Sequence, residues 1–145
     1  GNFGFIGNSQ TYTLTDDLTV NGTLTFNVSA VGTINGFNIY AKFNVQQLNF
    51  AVVGSTNLIF AGTGTWSNVS SAHIGLNIII NTTGTITFGT NIYYGVGTFT
   101  YTSGTVITTG NNFYLRVTCN IDCAGINFNN FQQLSHLKKV LSIIY

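Results

Sequence analysis

The chain has 145 residues and only seven formal charges: Asp16, Asp17 and Asp122 against Lys42, Arg116, Lys138 and Lys139. An ordinary soluble domain is about a quarter charged, yet residues 43–115 run for 73 positions without Asp, Glu, Lys or Arg. No basic stripe exists to neutralise phosphates, which excludes nucleic acid as a partner, and a chain that is 44% hydrophobic is too apolar for a disordered polar segment.

Hydroxyls and amides must therefore make the surface, and 22 Thr, 19 Asn, 17 Gly and 9 Ser supply 67 of the 145 residues. With three carboxylates, little titrates as the medium becomes acidic, so acid cannot build large charge repulsion. The absence of Met reads as a processed mature protein or a fragment. No apolar run approaches the ~18 residues of a spanning helix, so no membrane insertion is expected. A membrane β-barrel is disfavoured because Thr fills many alternate positions and the strands are short.

In chain order, residues 1–10 are apolar, uncharged and glycine-rich, and read as an arm or donor strand. Thr11–Thr15, Leu18–Val20, Thr23–Phe26, Thr85–Phe88 and Thr98–Tyr101 alternate with period two, as half-buried strands do. Residues 1–130 are expected to form one all-β domain of many short strands. Two patterns recur in it. Gly-Thr-x-Thr-aromatic (Gly-Thr-Gly-Thr-Trp at 62–66) falls at 22–26, 62–66, 84–88 and 97–101, and Asn followed by apolar residues falls at Asn38, Asn57, Asn77, Asn91 and Asn112. A repeat near 20 residues predicts a β-solenoid, because one such unit cannot bury its own face and must stack on neighbours. The short step from Asn77 to Asn91 breaks that period, and a β-sandwich or jelly roll of short strands remains the alternative. At 131–145, Phe131, Leu134, Leu137, Leu141 and Ile144 recur at helical spacing opposite polar residues, which predicts an amphipathic helix. That helix covers an edge of the β-body or docks on a neighbouring subunit.

No catalytic constellation stands out, and the chain is not expected to be an enzyme or to need a cofactor. Asp16 and Asp17 read as turn formers, and adjacent carboxylates on a strand point to opposite faces. His73 lacks an acid to orient it, and His136 falls on the polar side of the predicted helix. Trp66 reads as core. Cys119 and Cys123 close a small disulfide loop if the chain turns there; two reduced, buried thiols are the alternative, and no metal site is expected from two thiols alone. Four sequons, at Asn21, Asn27, Asn68 and Asn81, can accept glycans in a secreted protein, although a chain this rich in Asn, Thr and Ser makes sequons by chance.

The cadence of Leu18-Thr-Val-Asn-Gly-Thr-Leu-Thr-Phe26 resembles that of secreted β-solenoid adhesins and viral fibre proteins. The near absence of charge, with Thr, Asn, Gly and Tyr instead, resembles surface filament subunits of acidophilic archaea. The second resemblance implies strand-exchange polymers in which a terminal strand such as Gly1–Ser9 completes the next subunit's sheet. The expected role is a structural subunit of an extracellular filament or surface assembly, at a cell or virion surface, whose partners are copies of itself. Phe3, Phe5 and Ile6 of the arm and the five apolar residues of the predicted helix are the candidate subunit contacts. A receptor- or glycan-binding fibre or adhesin domain is the alternative, with surface glycans as partners.

Overall fold

The computed structural model describes residues 1–49, 51–69, 74–95, 97–108, 110–115, 119–122 and 131–133. They form a β-solenoid of about five turns in which every strand pairing is parallel. Each turn is three short strands joined by corners. The first layer holds β1 (Phe3–Gly7), β2 (Thr11–Leu14) and β3 (Leu18–Val20). Above it lie β4 (Leu24–Val28), β5 (Gly32–Gly36) and β6 (Ile39–Ala41). Then come β7 (Val45–Gln47), β8 (Val52–Phe60), β9 (Gly64–Asn68), β10 (Ile74–Phe88), β11 (Ile92–Tyr94) and β12 (Gly97–Ile107). β13 (Phe113–Leu115), β14 (Cys119–Asp122) and β15 (Phe131–Gln133) complete the described part.

Three sheets run up the stack. The first is β1–β4–β7–β9 and then the ends of β10 and β12. The second starts β2–β5, continues through the starts of β8 and β10, and ends β11–β13–β15. The third is β3–β6, the end of β8, the middle of β10, the start of β12 and β14. The longer strands turn corners without breaking. That continuity joins all fifteen strands into one hydrogen-bonded system.

Alternation sets what faces inward. In the first sheet the column Phe3–Leu24–Val45–Trp66–Phe88 lines the interior. In the third, Leu18–Ile39–Leu58–Ile78–Phe99 does so. Thr residues occupy alternate outer positions such as Thr25, Thr65 and Thr87. A parallel stack of this kind aligns like residues, and each buried Leu, Ile or Phe contributes about 1.5–3 kcal/mol. The upper layers hold an aromatic core: Trp66 lies 4.9 Å from Phe60, 5.6 Å from Phe88 and 6.1 Å from Phe113 between ring centroids. Trp66 is thus a core residue, as expected.

The corners are held by asparagine. Before the third sheet, the Asn57 Nδ2 donates to the Asn38 Oδ1 at 2.8 Å, and the Asn77 Nδ2 donates to the Asn57 Oδ1 at 3.1 Å. Below this ladder, the Asn38 backbone N–H donates to Asp17 Oδ1 at 2.9 Å, and above it the Thr98 N–H donates to Asn77 Oδ1 at 3.1 Å. The steps are 21, 19, 20 and 21 residues. Asn91 belongs to a different corner, where its Oδ1 accepts from the Asn112 N–H 21 residues on. The 14-residue step from Asn77 to Asn91 is therefore a jump between two ladders, each with the coil period. Replacing Asn57 by Ala strands the Asn38 acceptor and the Asn77 donor in a half-buried corner. We expect a loss of about 1–2 kcal/mol in urea unfolding, and a variant as stable as the parent would show that the ladder carries no stability.

Two other expectations change. The sandwich alternative is not the fold. The predicted helix does not begin at Phe131: residues 131–133 are β15, with Phe131 in register on Phe113. There the ladder continues the Ile92–Phe113 column, and sheet pairing overrides local apolar spacing. Residues 134–145, with Leu134, Leu137, Leu141 and Ile144, lie outside the described residues.

Candidate functional site

Among the described residues, β1, β2 and β3 of the first layer each have one strand neighbour, and on the other side of β1 the Ile6 carbonyl accepts the Tyr12 hydroxyl at 2.8 Å. Phe3 is 41% exposed although Leu24, directly above it in register, is fully buried. Tyr12, Leu14 and Leu18 are only partly buried, whereas Ile34 and Ile39, the register partners of Tyr12 and Leu18, are buried. These four side chains form the first described layer of the core.

Two polar side chains stand at corners of this layer. Asn2 Oδ1 accepts the Thr23 N–H at 2.8 Å, beginning a corner series that Asn44 continues by accepting the Thr65 N–H at 2.9 Å. Asp17 begins the ladder of Asn38, Asn57 and Asn77, and Asp16 beside it accepts the Asp17 N–H at 2.8 Å. Both acids sit in the bend between β2 and β3, as turn formers, and both are exposed. Their place at the base of a ladder was readable but missed: Asp17 precedes Asn38 by 21 residues, the same interval that links the asparagines.

The other candidate residues are placed as follows. The arm is not loose in this chain, because β1 pairs with β4 from Phe3↔Leu24 to Gly7↔Val28. Phe5 is 3% exposed and stacks on Phe26 at 5.6 Å, so it is core, whereas Ile6 is 68% exposed on the outer side. Among the sequon asparagines, Asn21 and Asn81 are exposed and Asn27 is half-buried. Asn68 is 3% exposed with its Nδ2 3.4 Å from the Tyr93 carbonyl, so folding hides its amide. Cys119 opens β14, while Cys123, His73 and His136 lie outside the described residues. Among the described residues no group of three or more His, Cys, Asp or Glu is placed to hold a metal, and no helix is long and apolar enough to cross a membrane.

One further surface feature is a shallow groove of about 330 Å³ across the third-sheet side, where Tyr40, Lys42, Ile59, Asn81 and Ser103 meet. Lys42 Nζ donates across it to the Ala61 carbonyl at 3.4 Å.

The described residues thus form a three-sided parallel β-solenoid of about five turns. No protein-family model, curated protein or solved structure matches it.

Proposed function

We propose that the protein is a structural subunit of an extracellular filament or surface assembly whose partners are copies of itself. The observation that carries this reading is the uncharged parallel stack: residues 43–115 hold no Asp, Glu, Lys or Arg, and the strands pair in parallel with exposed Thr along their outer faces. Uncharged strand edges template further strands, and a contact between two different surfaces of one chain generates an open polymer. The charge-free run of residues 43–115 removes most of the repulsion that keeps other sheets apart.

Negative-stain microscopy of the purified chain tests it, with long unbranched filaments as the expected result. Discrete monomers or small closed oligomers at high concentration would sink it. The groove favours a second reading, recognition of surface glycans, since Tyr40 offers a ring face and Lys42, Asn81 and Ser103 offer polar groups around it. Glycan-array binding by a protein that forms no filaments is the result that favours this alternative.

A further inference from the structure

The groove on the third-sheet side has its cause in unequal coil lengths. On the path from the third sheet to the first, three residues separate Val20 from Leu24, and three separate Ala41 from Val45. Five separate Phe60 from Trp66, and seven separate Ile80 from Phe88. The flanking residues are in register, so the added ones have no counterpart in the coils below and swell the corner. At the longest connection the pairing of β10 with β12 slips at Asn81 and again before Thr85, as at a β-bulge. Asn81, Thr82 and Thr83 of that corner, with Ser103, make the upper wall of the groove; Tyr40 and Lys42 make the lower one, and Ile59 and Ala61 lie between. The upper wall is fixed. Thr82 is 6% exposed, its Oγ1 donates to the Gly62 carbonyl at 3.0 Å and accepts the Gly84 N–H at 2.9 Å, and the Ser103 hydroxyl donates to the Thr82 carbonyl at 2.9 Å. The Lys42 ammonium is held less firmly: its one bond among the described residues is to the Ala61 carbonyl at 3.4 Å, a long contact that leaves N–H donors to spare. Lys42 is also the sole Lys or Arg among the described residues, and Asp16 and Asp17 stand at the opposite corner of the third sheet.

We propose that this groove binds a carboxylated sugar, a hexuronate unit of an acidic polysaccharide, and that Lys42 pairs with its carboxylate. The inference rests on the glycan reading of the groove and needs no self-association. Three features match this ligand. A single ammonium among neutral groups suits one charge per sugar unit, whereas a densely sulfated chain needs a run of cations, and residues 43–115 hold none. The Asn81 amide and the hydroxyls of Thr83 and Ser103 supply donors and acceptors for ring hydroxyls. Alternation in β6 puts Tyr40 and Lys42 on the same outer side, two residues apart, so the phenol ring and the apolar floor of Ile59 and Ala61 meet the C–H face of a sugar whose carboxylate reaches Lys42. A volume of about 330 Å³ is at the lower end for small-ligand sites and suits a short stretch of sugar.

Isothermal titration calorimetry of the whole, unglycosylated chain tests this with a galacturonate trisaccharide, its methyl ester and a neutral disaccharide bearing one sulfate. At low salt the acid should bind about three- to tenfold more tightly than the ester, the scale of one partly exposed, charge-assisted contact. Lys42→Met keeps the apolar stem and should erase that difference while leaving the ester's affinity within about twofold. Tyr40→Ser should weaken both ligands. Unfolding midpoints check that the two variants keep the fold. Equal affinities for acid and ester, unchanged by Lys42→Met but lowered by Tyr40→Ser, overturn the carboxylate assignment and leave the glycan reading standing. A Lys42-dependent preference for the sulfated disaccharide over the galacturonate overturns it too, in favour of a sulfate ester. Binding that neither variant alters places the sugar away from this groove. If no neutral or acidic sugar binds, in the calorimeter or on a glycan array, the glycan reading fails and this inference with it.

Discussion

Replacing Trp66 by Ala should cost about 3–5 kcal/mol, the range for removing a fully buried large aromatic. Trp66 is fully buried and bridges layers: its ring meets Phe60, Phe88 and Phe113, which lie in different parts of the stack. Losing it opens a cavity that neighbouring coils cannot fill, because each strand is held in register from above and below. The companion variant Trp66→Phe separates packing from polarity. The Trp66 Nε1 is buried without a hydrogen-bond partner among the described residues, and a desolvated donor of that kind is unfavourable. Phe keeps an aromatic ring and deletes the orphan N–H, so we expect a much smaller loss than for Ala. Urea unfolding followed by far-UV circular dichroism measures both, since the chain's sole Trp is being removed. Equal losses in the two variants would show that ring packing is not what Trp66 contributes.

Gly54→Ala should destabilise by about 3 kcal/mol or more. Gly54 has φ +143°, a backbone conformation that side-chain-bearing residues rarely adopt, and an added Cβ would run into the Ile34 carbonyl of the coil below. Strain at such a φ costs of order 1–3 kcal/mol, and the collision is with backbone that is itself fixed in a sheet. The site is a corner of β8, where the Ser55 N–H also donates to Asn35 Oδ1 at 3.1 Å, so neither coil can move aside without breaking a corner bond. Gly110 is the control: its φ is +80° but nothing lies within 4 Å of an added Cβ, so Ala there should cost only about 1–2 kcal/mol. Denaturant midpoints for the pair decide it; equal midpoints would show that the Gly54 corner is more compliant than its contacts imply.

The coil period was legible in the sequence because the corner asparagines carry it, but which corner each belongs to was not. Asn77 and Asn91 look like successive members of one series, yet they bond to Asn57 and Asn112 in separate ladders. The Gly-Thr-x-Thr motif misleads similarly. Its copies at 62–66 and 84–88 align in the first sheet, where Trp66 meets Phe88, but the copy at 22–26 is displaced by two residues, so that Leu24 and not Phe26 shares their column. The copy at 97–101 belongs to the third sheet. A shift of two preserves inward and outward alternation, so periodicity alone cannot detect it. Nor could composition reveal that the Phe5–Phe26 column continues through Gln47 and Asn68, amide side chains in the interior. In the first coil, the apolar character of the arm was readable, whereas the division of labour within it was not. Phe5 is core, Phe3 is the exposed section of that core, and Ile6 points away. Phe131 shows the limit of helical spacing as a signal, because a strand column above Phe113 claims it.

The register between coils has a consequence for how such a chain can change length. Strand pairing joins each layer to the layers next to it, and the columns repeat after 18 to 22 residues. Inserting or deleting two or three residues in a strand shifts all columns above the change against those below. Duplicating or excising one complete period leaves both sides aligned and alters the stack by one strand spacing, about 4.8 Å. Length in this protein is therefore quantised in whole coils.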